Sequence, residues 1–398
     1  MAFVPDKQIG IGDLIIDARA RANIKQVLDS SHLSYGHFSR SFEEQFAAFH
    51  GCAHAIFMAS GTSALQAALS ILREMHGWVD GDEVIVPAMT FIATPNIVLH
   101  NNLDVRFAEV DPVSCNIDPT KLEEALTDRT RAIIPVHLFG RPAEMDPIME
   151  FAQAHDLRVL EDSCETMFAK YRGRPVGSFG NAACFSTYVA HMLVTGVGGF
   201  VTTNDAEIAV GARSYLNHGR DSIYLSIDDD RDTTPAKLHE VVARRFNFIR
   251  VGHSFRATEF EAALGVAQLE QVDSILATRK ENAQYFLEHL RPLEEKGFLS
   301  LPVVPDDADH VFMMFPVVVR DGRKRELVNC LEEHLIETRD LMPLLSQPVY
   351  LELFGDLRSR FPVATYNAEN GFYVGCHPYL SPEQREYMVE TFLDFFGT

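Results

Sequence analysis

The sequence predicts an α/β protein whose large domain is built on a mainly parallel central sheet and is followed by a smaller α+β domain. Two observations lead to this prediction. Short apolar runs alternate with helical periods from about residue 40 to residue 265, and a different pattern begins beyond about residue 270. Strands that alternate with helices of this length need right-handed crossovers, which leave the strands parallel and both faces of the sheet covered.

The individual elements follow from the positions of the apolar runs and helical periods. In the first part of the chain we predict helices at residues 64–75, 118–127 and 146–155, and strands at residues 83–87, 105–110, 132–136 and 158–162. In the second part we predict a long helix at about residues 259–293, a strand at 311–319, and helices at 323–335 and 382–396. We therefore place the large domain at residues 1–265 and the small domain at residues 266–398.

Composition and charge exclude several classes of protein. A chain of 398 residues is long enough for two domains around a large core. Its formal net charge of −21 argues against non-specific binding to nucleic acid or to an anionic membrane. No apolar run reaches the length of a membrane span, and the N-terminus lacks the pattern of a signal peptide. The acidic run at residues 228–232 indicates a solvated loop.

Cysteine spacing bears on metals and on the cellular compartment. The six cysteines are widely spread and include no CxxC or CxC pair, so their spacing suggests neither a zinc site nor an iron–sulfur cluster, and we predict no metal. A reduced, cytoplasmic protein is the simplest interpretation of isolated cysteines.

Several motifs fall at the predicted ends of strands. Because the ligand of an open α/β sheet lies beyond the carboxyl ends of its strands, we expect residues 87–91, 162–165 and 185–191 to meet there. Ser60-Gly61-Thr62 stands between a strand and a helix. Glycine lets the backbone approach an anion, and the helix N-terminus offers free N–H groups, so this turn is a candidate phosphate site. An ordinary capping turn is the alternative.

The segment Cys184-Phe185-Ser186-Thr187-Tyr188-Val189-Ala190-His191, which runs on to Gly198-Gly199-Phe200, resembles the cofactor-lysine segment of a known enzyme family. This is the DegT/DnrJ/EryC1/StrS family of sugar-nucleotide aminotransferases, which use pyridoxal 5′-phosphate (PLP). The resemblance extends from about residue 34 to residue 378. It implies the aspartate-aminotransferase-like PLP fold of type I and a homodimer with shared active sites. In the family, a lysine at the position of His191 binds PLP covalently.

The resemblance also implies roles for individual residues. Positions that match the family's cofactor contacts are Gly61, Thr62 and Ser186 for the phosphate, Phe91 for stacking on the ring, Asp162 for the ring nitrogen, Glu165 beside the ring hydroxyl, and Ser254 for the phosphate in the neighbouring subunit. Glu165 replaces the family's usual glutamine, as in its dehydratase branch, and Ser254 replaces a longer asparagine. For Phe91 alone, a place in the core is the alternative.

Three further residues have weaker matches. His218 lies in a segment that the family places near the active site, where it is either a catalyst or a loop histidine. Arg339 matches a small-domain position that faces the site and would meet a co-substrate carboxylate or a nucleotide phosphate. Arg220 offers a cation for a phosphorylated ligand, with a solvated surface arginine as the alternative.

The histidine at position 191 predicts the type of chemistry. An imidazole has no primary amine and cannot bind PLP covalently, but it can move protons near neutral pH. A histidine in place of the lysine resembles the dehydratase branch of the family, and this resemblance implies 3-dehydration of a nucleotide-linked 4-keto-6-deoxyhexose in deoxysugar biosynthesis. His191 acts as the acid/base, non-covalent PLP or pyridoxamine 5′-phosphate (PMP) is the cofactor, and L-glutamate is the amino donor. The alternatives are a sugar-nucleotide aminotransferase that tolerates loss of the lysine and a non-catalytic binding relative. The nucleotide (GDP, CDP, dTDP or UDP) and the sugar stay open.

Overall fold

The structure, a computed structural model, describes residues 3–221 and 234–398. The acidic run at residues 228–232 lies outside the described residues. The α-helices are α1 Ala18–Ser30, α2 His37–Phe49, α3 Gly61–His76, α4 Ala93–His100, α5 Leu122–Ala125, α6 Met145–Ala154, α7 Ala206–Leu216, α8 Pro235–Arg244, α9 Glu259–Leu269, α10 Val272–Glu295, α11 Lys324–Glu333, α12 Pro348–Phe354, α13 Pro362–Asn370 and α14 Pro382–Phe396. The strands are β1 His54–Met58, β2 Glu83–Pro87, β3 Asp104–Ala108, β4 Thr130–Ile133, β5 Arg158–Asp162, β6 Lys170–Tyr171, β7 Arg174–Pro175, β8 Ala182–Ser186, β9 Gly199–Thr203, β10 Leu299–Ser300, β11 Met314–Val319, β12 Thr338–Asp340 and β13 Gly371–Gly375.

A seven-stranded sheet forms the centre of the first part of the chain, in the order β1-β9-β8-β5-β4-β2-β3. The pairs that join β8, β5, β4, β2 and β3 are parallel, whereas β9 runs antiparallel to both of its neighbours. Every residue of β2, β8 and β9 is buried, as expected for strands covered on both faces. The mainly parallel sheet predicted from the sequence is confirmed.

A four-stranded antiparallel sheet, in the order β10-β11-β13-β12, occupies the second part of the chain. One of its faces packs on α10, α11 and α14 through a separate apolar cluster that includes Phe286, Phe315, Phe372 and Phe392. The smaller α+β unit is therefore present in the described residues. The division at residues 265 and 266 stays a proposal, and that position lies within α9.

The predicted long helix at residues 259–293 is wrong, because the structure divides it into α9 and α10. The break at Glu270 and Gln271 coincides with contacts to the start of α1, at Asp17 and Arg19. The Gln271 side chain donates to Asp17 Oδ2 at 2.7 Å, and Glu270 forms a 2.7 Å ion pair with Arg19. The sequence holds no glycine or proline at the break, so the helical pattern runs through it.

Two other predicted elements are shorter in the structure. Residues 118–127 form a 3₁₀ turn at Pro119–Lys121 and the single turn α5, because the chain becomes extended at Leu126. The strand predicted from residue 311 begins at Met314. Val311 and Met313 instead donate their backbone N–H groups to carbonyls of the loop Leu138–Gly140. These bonds connect the small sheet to the end of the central sheet.

Among residues 3–221 and 234–398, no helix combines the length and the apolar character needed to cross a bilayer. In the same residues, no group of three or more His, Cys, Asp or Glu side chains is arranged to hold a metal ion.

Buried histidines give a first testable prediction. Burial lowers the pKa of His50 to about 4, of His310 to about 3 and of His377 to about 4. Each is neutral in the fold while the unfolded chain takes up protons below pH 6.5, so their contribution to stability is lost as the pH falls from 6.5 toward 4. We expect the free energy of unfolding, measured in urea between pH 7 and pH 4, to fall less steeply for His50→Asn than for the wild type.

The choice of variant matters for that measurement. His50 Nδ1 lies 3.0 Å from the carbonyl oxygen of Val176, and asparagine can offer an amide N–H at this position. His289, an exposed histidine on α10, provides the matched control as His289→Asn. Parallel stability curves for wild type and His50→Asn across this range would contradict the prediction.

Candidate active site

A cavity of about 610 Å³ lies at the carboxyl ends of the central strands, between them and the small sheet. Residues from both parts of the chain line it. Its lining includes the predicted site residues Gly61, Thr62, Phe91, Asp162, Glu165, Ser186, His191 and Arg339. The structure thus brings together eight of the eleven positions that the sequence singles out.

The turn before α3 forms an anion cradle at one end of the cavity. Ser60 caps the helix by accepting the Ser63 N–H at 3.0 Å, and the first N–H groups of the helix, at Gly61 and Thr62, have no partner within it. A Cβ at Gly61 would lie 2.7 Å from Cys164 Sγ and 2.8 Å from the Cβ of Ser186, so only glycine fits here. The Ser186 hydroxyl adds a donor beside the helix N-terminus, and the whole suits a phosphate group.

Asp162 ends β5 at the base of the cavity. Its carboxylate accepts a hydrogen bond from Thr94 Oγ1 at 2.8 Å and one from the backbone N–H of Cys164 at 3.2 Å. The residue is 4% exposed, and burial raises its pKa, although the hydrogen bonds from Thr94 and Cys164 act in the opposite direction. A carboxylate held in this way favours a cationic partner such as a protonated ring nitrogen.

Glu165 lies close to Asp162 and is also buried. Its Oε2 accepts the backbone N–H of Phe139 at 2.9 Å. Burial raises the pKa of Glu165 to about 8, and the negative charge of Asp162 adds to the effect. The side chain is therefore a neutral carboxylic acid at pH 7, able to donate a hydrogen bond into the cavity as a glutamine amide would.

His191 lies in the turn after β8, where its backbone N–H donates to the carbonyl of Tyr188 at 2.9 Å. The ring is half-buried, with Nδ1 3.2 Å from the sulfur of Met313. Burial lowers the pKa of His191 to about 4, and the positive charge of Arg279 lowers it further. The imidazole is therefore neutral at pH 7, and its role as the acid/base stays a prediction.

Phe91 and Arg339 occupy the outer part of the cavity. Phe91 is 57% exposed, so the alternative that it belongs to the core is wrong. Arg339 pairs with Glu337, whose Oε2 also accepts the backbone N–H of Ile11 at 2.9 Å. Glu337 is therefore a third acidic group in the cavity, beside Asp162 and Glu165.

His218, Ser254 and Arg220 do not line this cavity. His218 and Ser254 are exposed and are joined by Arg256, which lies 3.2 Å from His218 Nε2 and donates to Ser254 Oγ at 3.0 Å. The Arg220 guanidinium lies over the ring of Phe248, 5.1 Å from its centroid, and over that of Phe246. The roles predicted for these three residues stay predictions, and that of Ser254 requires a second subunit.

Some lining residues were missed from the sequence. Met313, Glu337 and Tyr373 belong to the small sheet or to its approaches, and Ile11 and Gly12 belong to the N-terminal arm. A strand pattern at residues 311–319 was recognised, but nothing in it indicated that Met313 would contact His191. The arm offers no signal either, since its place depends on backbone bonds such as that from Ile9 to Leu335.

The fold and the functional groups that line the cavity together define the class of protein. A phosphate cradle at a helix N-terminus, a buried carboxylate at the end of a central strand and an exposed aromatic ring are what a phosphorylated pyridine cofactor needs. The site of a fold-type-I PLP enzyme has this form. The chain belongs to the DegT/DnrJ/EryC1/StrS aminotransferase family, whose model matches residues 14–393.

Individual relatives include enzymes of two kinds. GDP-perosamine synthase of Caulobacter vibrioides is 35% identical over 84% of this chain and 82% of its own length. GDP-4-keto-6-deoxy-D-mannose 3-dehydratase of Escherichia coli O55:H7 is 29% identical over 92% of this chain and 95% of its own. The solved structure of the E. coli dehydratase with bound hydrated PLP has a TM-score of 0.84 and 26% identity, and covers 98% of this chain and 100% of that one. The predicted family, fold class and PLP cofactor are confirmed at the level of the family.

Glu165 carries a second prediction. Its pKa in the fold lies near 8, whereas in the unfolded chain it has the ordinary value of 4.5, so wild-type stability falls as the pH rises through this window. Glutamine does not titrate, and its carbonyl can accept the Phe139 N–H. We expect Glu165→Gln to be more stable than the wild type at pH 8. Between the unfolded pKa of 4.5 and the folded pKa of about 8, the difference in free energy of unfolding should grow by about 1.4 kcal/mol per pH unit.

Urea unfolding of the cofactor-free protein at pH 5 and pH 8 measures this difference. Glu288→Gln, at an exposed position on α10, is the matched control. An equal difference between Glu165→Gln and wild type at the two pH values would show that Glu165 is not protonated in the fold.

Proposed function

We propose that this protein is a PMP-dependent 3-dehydratase of a nucleotide-linked 4-keto-6-deoxyhexose. The observation that carries the proposal is the base itself. A neutral imidazole, which cannot bind the cofactor covalently, projects at position 191 into the cavity that holds Asp162 and Glu165. Among the described residues, no lysine lines the cavity. The lysine to which an aminotransferase binds PLP covalently between its half-reactions is therefore absent from the described lining.

The residues around the cavity would hold the cofactor without a covalent bond. The cradle at Gly61, Thr62 and Ser186 binds the phosphate, Phe91 stacks on the ring, and Asp162 keeps the ring nitrogen protonated. When bound, the cofactor supplies an amine and an electron-accepting ring. Glu165, as a neutral acid, donates a hydrogen bond to an oxygen on the same ring.

His191 moves the protons. Its neutral imidazole takes up a proton from carbon, and the resulting imidazolium is a strong enough acid to give that proton to the hydroxyl that leaves carbon 3 of the sugar. The lowered pKa leaves the ring unprotonated at rest and makes the imidazolium a ready proton donor, whereas a general base works best with a pKa nearer the working pH. Proton transfer by a positioned side chain contributes about 10²–10⁴-fold in rate.

Partners and assembly belong to the same proposal. L-glutamate would restore the aminated cofactor, and Arg339 is the cation in the cavity that could meet its carboxylate or the nucleotide phosphate. The exposed Ser254 and His218 would complete the site of a second subunit in a homodimer. The E. coli dehydratase acts on a GDP-linked sugar, which makes GDP the first nucleotide to test.

A sugar-nucleotide aminotransferase is the second candidate. The 35% identity to GDP-perosamine synthase favours it, since that value exceeds the identity to the dehydratase. On this alternative another group would replace the lysine as base.

Incubation of the purified protein with PLP, L-glutamate and a panel of GDP-, CDP-, dTDP- and UDP-linked 4-keto-6-deoxyhexoses separates the candidates. We expect mass spectrometry to detect a 3-deoxy-4-keto product, which has lost one oxygen atom, together with 2-oxoglutarate. Accumulation of a 4-amino sugar would support the aminotransferase and overturn the dehydratase proposal.

A further inference from the structure

A buried arginine lies directly behind His191. Arg279, on α10, is 2% exposed, and its guanidinium reaches backbone carbonyls from three separate segments of the chain. Nη2 donates to the carbonyl of His191 at 3.1 Å. Nη1 contacts the carbonyls of Met313 at 2.9 Å, Phe312 at 3.3 Å and Cys376 at 3.3 Å.

This charge has no anionic partner. Among residues 3–221 and 234–398, no carboxylate lies within 4.0 Å of Arg279, and its Nε has no hydrogen-bond partner. Burial lowers its pKa to about 10, which still leaves it charged at pH 7. An unpaired buried charge is costly, and apolar side chains often fill such a place with equal or better stability. Stability alone therefore gives a poor account of an arginine here.

The same guanidinium holds the residue that orients the His191 ring. Met313, whose carbonyl Arg279 contacts, places its sulfur 3.2 Å from His191 Nδ1. A thioether sulfur carries no hydrogen and can only accept, so a hydrogen bond at this contact places the hydrogen on Nδ1. Nε2 is then left with its lone pair and is the basic nitrogen of the ring.

We propose that Arg279 is a positioning residue: by binding the backbone of both His191 and Met313, it presents the Nε2 lone pair of a neutral His191 to the cavity. This rests on the proposed function in which His191 is the base. Arg279 contributes in two ways, by geometry through the carbonyl contacts and by charge through its proximity to the imidazole.

The electrostatic surroundings of His191 support the second contribution. The titratable and charged groups that share its cavity are Asp162, Cys164, Glu165, Tyr188, Glu337, Arg339 and Tyr373. After burial, the cause that lowers the pKa of His191 is the positive charge of Arg279, a residue of α10 that contacts the His191 carbonyl.

Imidazole NMR of the full-length protein, labelled with ¹³C and ¹⁵N at histidine, tests both contributions without any substrate. The His191 signal is assigned by its absence from His191→Asn. Arg279→Gln removes the charge, Arg279→Lys keeps the charge but loses the planar fork, and Met313→Leu removes the sulfur with little change of volume. Arg385→Gln is the matched control, because Arg385 is a partly buried arginine whose Nε lacks a partner and whose guanidinium contacts Glu281, Asn282 and the ring of Tyr285 in α10 rather than the backbone of His191 and Met313.

The expected results differ among the variants. In wild type, His191 carries its hydrogen on Nδ1 and titrates near pH 4. Its pKa rises in Arg279→Gln but stays below 6.5, since burial persists. In Arg279→Lys the pKa stays low, whereas turnover of the sugar nucleotide falls by about 10²-fold, the scale expected when a reacting group is displaced by about 1 Å. Met313→Leu shows a mixture of the two tautomers, and Arg385→Gln resembles wild type in both signals.

Two outcomes overturn the inference. One is a wild-type His191 that carries its hydrogen on Nε2, a result that needs no variant to fold. The other is an imidazole whose pKa and tautomer are the same in wild type, Arg279→Gln and Met313→Leu. These readouts come from the free protein, so they stand even where no sugar nucleotide is turned over. Failure of the dehydratase proposal is thus distinguishable from failure of this one.

Discussion

Replacing His191 with asparagine is expected to lower turnover of a 4-keto-6-deoxy sugar nucleotide by about 10²–10⁴-fold, the usual contribution of a positioned acid/base. The loss arises because an amide neither takes up nor releases a proton in this pH range. The groups predicted to hold the cofactor are elsewhere, at the α3 N-terminus, at Phe91 and at the end of β5. PMP affinity, measured by absorbance titration, should therefore change little while the single-turnover rate collapses.

The pH profile adds a second readout for the same residue. Because the pKa of His191 is lowered to about 4 in the free protein, we expect the wild-type rate to be flat from pH 7 to pH 6 as far as this group is concerned. It should decline as the pH approaches the pKa and the base becomes protonated. Unchanged turnover in His191→Asn would refute the assignment of His191 as the base.

His191→Lys is the informative counterpart. A lysine amine in this position can form a covalent bond with the aldehyde of PLP, which borohydride reduction would make permanent and mass spectrometry would detect. We expect this adduct in His191→Lys and not in wild type. The dehydration rate should fall in the variant, because the amine competes for the cofactor. Absence of the adduct would mean that position 191 does not face the cofactor aldehyde.

The difference between what the sequence predicts and what the structure shows has a physical origin. The strands at residues 83–87 and 158–162 and the helix at residues 382–396 are recognisable because their apolar periodicity is local, and the structure reproduces their bounds. The break between α9 and α10 is not local, because the side chains of Glu270 and Gln271 bind residues about 250 positions earlier in the chain.

The candidate site shows the same division. Gly61, Asp162 and Ser186 occupy positions with a local signature, at the end of a strand or the start of a helix, and they line the cavity as predicted. Arg279 could not be recognised in this way, since its role depends on carbonyls from residues 191, 312, 313 and 376. The protonation states of His191 and Glu165 also depend on burial, which a motif does not record. Sequence therefore predicts which groups are present in the site, whereas their charge follows from packing.

Asp162→Asn is the second substitution for which we expect a large effect, and here activity and stability should move in opposite directions. Burial raises the pKa of Asp162 in the free protein, so the fold disfavours its ionised form. Asparagine removes that charge and can still accept the Thr94 hydroxyl. We expect the free energy of unfolding of the cofactor-free variant, measured in urea at pH 7, to be equal to or higher than that of wild type.

Turnover should nevertheless fall by at least about 10²-fold, the scale found when one preorganised electrostatic contact is removed from an active site. The amide cannot keep the ring nitrogen of the cofactor protonated, so the ring accepts electrons less readily.

Asp82→Asn is the matched control. Asp82 is a buried aspartate outside the cavity that forms a 3.0 Å ion pair with Arg131 and accepts the backbone N–H of Val79. It should lose stability and keep activity. A carboxylate retained for binding a cationic cofactor lowers the stability of the cofactor-free protein and is useful only when the cofactor is bound. Loss of stability and activity in parallel in Asp162→Asn would therefore indicate a structural role instead.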